Sequence, residues 1–456
     1  MSEFSNRRVI VVGLGISGFA AARALLALGA HVRVTESSSG SGIDERAAAL
    51  SDEGADVETG GHDLTRLDAD VAVVSPGIPP HSHAIRALEE AGVTIISEVE
   101  LAYRLAQCDF LAVTGTNGKT TTTSLLAQIL EAGGVRATAA GNIGTPLVDA
   151  VRSMGPGDAI AIEVSSFQLE KIDRFRPRVA VLLNVAEDHT DWHGSFDAYV
   201  EAKARIFMNQ TASDVFVVNA DDPVAIGTAR AARSRVIPFS ATRVPEHGIG
   251  VRDGYLVYRE RRILSVDEVP LPGIAGLEDI AAAAAAALEY GVEAEAVVRA
   301  AKGFRPLHHR LEVVAEAGGV TYINDSKATN PHATLTAVRS LSDVVLIAGG
   351  RSKGIDLAPL AGTVPPVVAV VALGEAAAEL ATIFAPLVPV TRVETMPEAV
   401  SAARKYAKRA GSVLLSPGCA SLDMFKNYAE RGEAFERAVR AAIAPAGEAR
   451  EETSGE

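Results

Sequence analysis

Short apolar runs recur along the chain, each closing on glycine or a polar residue and followed by a longer stretch with helical spacing. Val9-Ile-Val-Val12 leads into Gly13-Leu-Gly15-Ile-Ser17-Gly18, then an Ala/Leu helix ending near Gly29. A second run from His31 to Val34 leads to Glu36, and further strands are expected at Val71–Val74 and Thr94–Ile96, ending in Ser75 and Ser97. Phe110-Leu-Ala-Val-Thr114 ends in a glycine loop, and a helical pattern runs from Ser124 to Glu131. Ala159–Ile162 stops at Glu163, Val179–Leu183 at Asn184 and Val215–Val218 at Asn219. Asp253-Gly254 between two apolar runs predicts a hairpin, and an alanine-rich helix is expected over about Asp279–Tyr290. Strands at Val344–Ala348, Val367–Val371 and Val413–Leu415 end in Gly349, Gly374 and Ser416. Such alternation predicts an α/β fold with mainly parallel sheets. Open parallel sheets bind ligands beyond the carboxyl ends of their strands, so the polar residues there are the first candidates for chemistry.

At about 150 residues per domain, 456 residues suggest three domains. Breaks are expected near Cys108 and near Pro306, giving 1–108, 109–308 and 309–446, with 447–456 as a loose acidic tail. The chain is 48% apolar, which argues against disorder, yet no stretch approaches the roughly 20 apolar residues of a membrane span. A net charge of −14 argues against general nucleic-acid binding, so phosphorylated ligands must be held by local devices. Two distant cysteines and no signal-peptide pattern suggest a cytoplasmic protein.

The most informative device is Gly115-Thr116-Asn117-Gly118-Lys119-Thr120-Thr121. Successive backbone N–H groups and a helix N-terminus favour a phosphate, Lys119 can reach the outer phosphates of a nucleotide, and the Thr120 hydroxyl can serve Mg²⁺. The strict Walker spacing would need glycine at Val113, so this is a shortened variant. The first turn, Gly13 to Gly18, reads either as a phosphate site with Glu36 at a ribose or as a tight turn without a ligand. In Phe196–Phe207, Lys203 completes an apolar helical stripe and should face inward. A buried ammonium must be paired or lose its charge; the alternatives are a chemical role or a snorkelling amine reaching solvent or Glu163. Glu187, Asp188, His189 and Asp191 follow a strand end and suit a hard divalent cation such as Mg²⁺.

Taken together, Gly115–Thr120, Glu163-Val-Ser-Ser-Phe-Gln-Leu169, Asn184-Val-x-Glu-Asp-His189, Asn219-Ala-Asp-Asp222, His309-Arg310, Asn324-Asp-Ser-Lys-Ala-Thr-Asn330 and Ser416-Pro-x-x-Ala-Ser421-x-Asp423-x-Phe425 resemble the Mur ligase family. The match runs in order over nearly the whole chain. It implies a Rossmann-like N-terminal domain for a UDP substrate, a central P-loop ATPase-type domain and a C-terminal dinucleotide-fold domain that brings the amino acid. Among family members, the motifs are most similar to those of the enzyme joining D-glutamate to UDP-N-acetylmuramoyl-L-alanine through an acyl phosphate and a tetrahedral intermediate.

The resemblance implies roles residue by residue. Gly115 to Thr121, Arg310, Asp325 and Lys327 would meet ATP, with Lys119 on the β/γ-phosphates. Thr120 and Glu163 would serve one Mg²⁺, and His189 with a carbamylated Lys203 a second. Gly15, Ile16, Ser17, Glu36, Ser37 and Ser75 would hold the UDP part, and Asn142, Ser165 and Ser166 the muramoyl-alanine end. Thr329, Lys353, Ser421, Leu422 and Tyr428 would form the glutamate site. A cytoplasmic monomer is expected, with neither nucleic-acid partners nor membrane insertion; L-glutamate or another amino acid is the alternative substrate.

The chain also departs from the pattern. Where many relatives carry asparagines for adenine, it has Gly276-Leu-Glu278-Asp279-Ile-Ala-Ala282; it has no arginine near Ser38, and Tyr428 replaces a more usual phenylalanine. A nicotinamide dehydrogenase would leave Lys119 idle, and a P-loop switch or motor would leave Lys203 and the C-terminal motifs unexplained. A folate polyglutamylating ligase fits the N-terminal glycine turn less well.

Overall fold

Three sheets carry the apolar runs. The computed structural model describes residues 2–63, 65–271, 273–305, 307–339, 341–407 and 411–443, except the side chain of Asp191. The expected break at Pro306 and the tail from 447 lie outside the described residues. The first sheet contains β1 (Arg8–Val12), β2 (His31–Glu36), β3 (Asp56–Thr59), β4 (Val71–Val74) and β5 (Thr94–Ser97), all parallel in the order 3-2-1-4-5. The chain reverses direction of growth at β1, which opens a crevice at its carboxyl end.

The second sheet holds β6 (Asp109–Thr114), β7 (Ala137–Gly141), β8 (Ala159–Glu163), β9 (Val179–Leu182), β10 (Val215–Asn219), β11 (Arg235–Ser240), β12 (Ile249–Arg252), β13 (Tyr255–Tyr258) and β14 (Arg261–Ser265). Its order is 14-13-12-11-10-9-6-8-7, with only β12–β13–β14 antiparallel. The Asp253-Gly254 hairpin is the turn between β12 and β13. The strand β6 lies between β8 and β9, so the phosphate-loop residues sit at a second switch point.

The third sheet comprises β15 (Glu312–Ala317), β16 (Val320–Asn324), β17 (Val344–Gly349), β18 (Val367–Leu373), β19 (Val390–Arg392) and β20 (Ser412–Leu415), ordered 15-16-20-17-18-19. Only β15 runs antiparallel. The central strands β6, β8, β9, β17 and β20 are buried almost throughout, as expected of parallel strands covered on both faces.

The chain divides into two compact units. The first combines the first two sheets (Met1–Val185, Trp192–Glu268, Glu278–Phe304), and the second contains the third sheet with Ala186–Asp191 and Val269–Leu277. Two buried glutamates weld the first two sheets together. Ser97 caps the helix Glu98–Leu105 through the N–H of Glu100. The Glu100 carboxylate then accepts backbone N–H groups of Asp173 (2.9 Å), Arg174 (3.0 Å) and Phe175 (2.9 Å), besides Arg104 Nε (2.7 Å). Glu98 accepts the N–H of Val148 at 3.2 Å, and burial pushes its carboxyl up to about 7.

Candidate functional site

The phosphate loop begins where β6 runs out of partners. Gly118 has φ +87° and caps the helix Lys119–Ala132; a Cβ there would meet Asp279 Oδ1. The loop is held from outside by Asn184, whose Oδ1 accepts the N–H of Asn117 (2.8 Å) while its Nδ2 donates to Asn117 O (3.2 Å). The N–H of Thr116 donates to Asn184 O at 3.0 Å. Lys119 Nζ turns back onto the loop, donating to Gly115 O (3.0 Å) and Thr116 O (2.9 Å). Thr120 is half-buried beside it, and the Thr121 hydroxyl oxygen is buried without a hydrogen-bond partner.

Lys203 faces inward as its stripe requires, and is 2% exposed. It neither snorkels to solvent nor reaches Glu163 for a hydrogen bond; its Nζ donates to Gly115 O at 2.8 Å and lies 4.4 Å from the centroid of the Tyr199 ring. Two ammonium groups therefore converge on one loop carbonyl. Tyr199 OH lies 3.1 Å from Thr116 Oγ1, which ties the lysine's helix Phe196–Ala204 to the same loop.

Glu163 ends β8 at the same carboxyl edge, 3% exposed. Its Oε1 accepts from Asn142 Nδ2 (3.1 Å), but its Oε2 is buried without a partner. A buried carboxylate oxygen left without a donor costs about 1–3 kcal/mol, and a hard divalent cation removes that cost. The donor set of Glu163 with Thr120 therefore fits Mg²⁺.

The UDP-side candidates border a cavity of about 500 Å³ lined by Gly15, Ile16, Ser17, Glu36, Ser75, Asn142 and Gln168. Glu36 is folded back: its carboxylate accepts the N–H groups of Leu14 (2.7 Å) and Ser38 (2.8 Å), and the hydroxyl of Ser37 (3.3 Å). Burial opposes ionisation there, yet these donors outweigh it and hold the carboxyl below its usual range. A carboxylate on the loop's own N–H leaves this turn unsuited to a phosphate at Leu14, unlike the phosphate loop. Ser165 caps the helix Ser166–Glu170 in a capping box with Gln168, and Ser166 is buried.

In the second unit, Asp325 is buried at the end of β16, accepting from Ser416 Oγ (2.8 Å) and the N–H of Leu311 (3.3 Å). Burial pushes its carboxyl up to about 7, against the pull of Ser416, Arg310 and Arg431. Arg310 keeps a buried Nε without a partner. Lys327 Nζ lies 5.5 Å from the ring centroid of Tyr428, and Thr329 is half-buried two residues further on. Ser421 is buried, whereas Leu422 (58%) and Tyr428 (38%) are exposed. Lys353 has φ +56°, a backbone region uncommon for a side-chain-bearing residue. His189 belongs to this unit as well; its neighbour Asp188 accepts from Asn330 Nδ2 at 3.1 Å. The cation set expected from His189 and Lys203 thus divides between the two units.

Comparison with known proteins follows this geometry. The model of the Mur ligase MurD-like N-terminal domain matches residues 7–97, the Mur ligase middle domain 113–287, and the Mur ligase glutamate ligase domain 309–419. A UDP-N-acetylmuramoylalanine–D-glutamate ligase of Caldanaerobacter subterraneus is 39% identical over 96% of this chain and 99% of its own length. The chain belongs to the Mur ligase family. Membership makes it an ATP-dependent amide ligase that uses Mg²⁺. A like-named ligase of Syntrophotalea carbinolica is 41% identical over 97% of this chain and 99% of its own. Among solved structures, the UDP-N-acetylmuramate–alanine ligase of Thermotoga maritima shares the fold, with TM-score 0.59 at 18% identity over 96% of this chain and all of that one. No helix among the described residues is long and apolar enough to cross a membrane.

Three residues of this Mur ligase escaped the sequence reading of its site. Asn184 was visible as a strand terminus and as the start of a family motif, but not as the clamp on the phosphate loop that it is. Arg431 is 2% exposed and donates to Ser326 Oγ (3.0 Å), Ser326 O (2.8 Å) and Cys419 O (3.0 Å), pinning two site loops together. Burial lowers its guanidinium to about 10. Its signal was a lone arginine on the apolar face that also holds Phe435 and Val439. His193 is the third. At the expected adenine position, Ala282 is fully buried, Asp279 accepts from Thr122 Oγ1 (2.9 Å), and Glu278 accepts from Asn219 Nδ2 (3.2 Å) with its carboxyl pushed up to about 7 by burial. Those side chains serve the protein's interior.

Proposed function

We propose that this Mur ligase joins D-glutamate to UDP-N-acetylmuramoyl-L-alanine in peptidoglycan precursor synthesis, converting ATP to ADP and phosphate. The observation that carries this reading is the convergence at one sheet edge of Lys119, Lys203 and the unpartnered Oε2 of Glu163. The near-full-length relatives named for this reaction support the choice of substrates.

The chemistry follows from the groups present. A substrate carboxylate oxygen attacks the γ-phosphorus of ATP, and the bond to ADP breaks. The glutamate nitrogen then attacks the carbonyl carbon of the acyl phosphate. The tetrahedral adduct loses a proton to water and expels phosphate, leaving the amide. Two anions must approach each other, so most of the catalysis is positioning and charge neutralisation. Lys119 supplies one fixed cation to the β/γ-phosphates once it leaves the loop carbonyls. Thr120 and Glu163 would hold Mg²⁺, and His189 with a carbamylated Lys203 would hold a second; bound there, the cations neutralise developing charge. Carbamylation makes an anionic ligand of a buried ammonium, which is why Lys203 suits that role.

The cavity beside Gly15, Ile16, Ser17, Glu36, Ser37 and Ser75 takes the UDP part, and Asn142, Ser165 and Ser166 take the muramoyl-alanine end. Arg310, Asp325 and Lys327 meet the nucleotide; Thr329, Lys353, Ser421, Leu422 and Tyr428 receive glutamate, with Lys353 able to pair a carboxylate. A cytoplasmic monomer completes the proposal.

Phosphate release measured with and without each substrate, and with D- against L-glutamate, tests the reading. Release is expected only when the UDP substrate and D-glutamate are both present. Equal turnover with L-glutamate, or release without either substrate, would overturn it.

A further inference from the structure

Behind the substrate cavity, four side chains form a chain of which only Ser166 enters the proposed substrate contacts. The His193 side chain is buried, 1% exposed. Its Nδ1 lies 2.8 Å from Glu170 Oε1, and its Nε2 lies 3.0 Å from Ser166 Oγ. Glu170 Oε2 takes the indole N–H of the preceding Trp192 at 3.3 Å. One carboxylate thus grips two consecutive residues. The imidazole stacks on Phe167 with ring centroids 5.5 Å apart and packs on Tyr199 at 5.3 Å.

For a neutral imidazole, hydrogen accounting sets the direction of this chain. The carboxylate accepts only, so Nδ1 carries its proton and donates to Glu170. Nε2 of the neutral ring is then an acceptor, so the Ser166 hydroxyl donates to it. The serine is held in one rotamer, and with it the first turn of Ser166–Glu170, whose Gln168 lines the substrate cavity. On its other face the ring supports Tyr199, whose hydroxyl meets Thr116 of the phosphate loop and whose ring faces Lys203.

We infer that His193 is a positioning residue: oriented by Glu170, it locks Ser166 and braces Tyr199, so that the acceptor-substrate wall and the phosphate loop form one rigid frame. The inference rests on the ligase reading above. A near-attack geometry between carboxylate and γ-phosphate demands such a frame, because a displacement of about 1 Å can lower turnover by roughly 100-fold. The bonds it makes lie between parts of the site, so its loss acts on kcat more than on the affinity for either substrate alone.

The test compares H193N, H193Q and S166A with the wild type. Asparagine can keep the donor to Glu170 but not the acceptor for Ser166; glutamine can present an acceptor near the Nε2 position. Wild-type phosphate release tests the ligase function itself, and the variants test the frame. H193N is expected to lower kcat by roughly 10–100-fold, with KM for ATP and for the UDP substrate within about threefold; S166A, which also removes a proposed substrate contact, is expected to lower kcat over the same range with KM for ATP within about threefold and KM for the UDP substrate raised. H193Q is expected to recover part of the loss. The double variant S166A/H193N should be no slower than the worse single variant, because both break the same link. If H193N does not fold, S166A and the imidazole ¹⁵N shifts of the wild type carry the test, the expected signature being the Nδ1–H tautomer. Wild-type kcat in folded S166A, additive losses in the double variant, or an Nε2–H tautomer would overturn the inference.

Discussion

Two glycine loops follow the first strands of their sheets, and they present opposite electrostatic faces. After β1, the loop closes on an anion of its own chain: Glu36 takes the N–H of Leu14 and then that of Ser38. After β6, the loop draws two cations, with Lys119 and Lys203 both donating to Gly115 O. The first loop has spent a backbone donor on a carboxylate and offers an exposed apolar Ile16 beside it, a surface for a neutral base or ribose. The second holds the Lys119 ammonium on weak neutral acceptors, from which a polyphosphate can draw it. The same strand–glycine–helix pattern therefore yields two recognition chemistries, and the deciding residues, Glu36 and Lys203, lie outside both loops.

The largest expected break in this contrast is Lys119→Ala. It should lower phosphate release by about 10³-fold or more, while calorimetric affinity for the UDP substrate changes by less than about threefold. A tenfold loss of UDP-substrate affinity would mean the two loops are not separate. Lys203→Ala comes next, with an expected loss of about 10²–10³-fold. Partial rescue by short carboxylic acids would support the anionic carbamate, and rescue by alkylamines instead would favour a role for the ammonium.

Gly18→Ala attacks the other loop. A Cβ at Gly18 would run into the Gly13 carbonyl oxygen, a backbone atom that cannot swing aside. Affinity for the UDP substrate is expected to fall by roughly tenfold or more, with nucleotide affinity retained. Equal weakening of both ligands would point to global loss of structure, which a melting curve would reveal.

The smallest effect concerns pH. Glu36 has a depressed carboxyl pKa in the fold, so its stabilising contribution is present above the ordinary carboxylate range and is lost as pH falls through the folded value. Glu36→Gln should destabilise the protein by about 1 kcal/mol near pH 7, read by urea unfolding, and the gap should close as pH drops below about 4. A gap that persists at low pH would contradict this account.

Much of the frame was legible along the chain because its signals are local. The phosphate loop is a contiguous run, and the inward turn of Lys203 follows from the stripe that also contains Tyr199. The α/β class came from apolar runs too short for helices. What escaped was set by distant pairings. The alanine helix begins at Gly273, earlier than expected, because its first turns lack the apolar spacing that marks the rest. The antiparallel strand β15 has no long apolar run to mark it, since Glu312 and Glu316 interrupt it, and it is defined by its pairing with β16. Asn184 and His193 gain their roles from Asn117 and Ser166, many residues away. No periodicity records such contacts. The departure from the usual adenine asparagines was legible, but not what Glu278 and Asp279 do instead, since polar side chains in a helix can face inward when a buried Asn219 or Thr122 meets them.

The buried carboxylate of Glu100 sets how this protein can be cut. Its oxygens are satisfied by backbone amides of Asp173, Arg174 and Phe175, far beyond the first sheet in sequence. A fragment ending at residue 108 would strand that charge and its neighbour Glu98 on a bare apolar wall. A truncation meant to isolate the first sheet should therefore retain the middle sheet, and fragment-screening libraries aimed at the cavity beside Gly15 need the two sheets together.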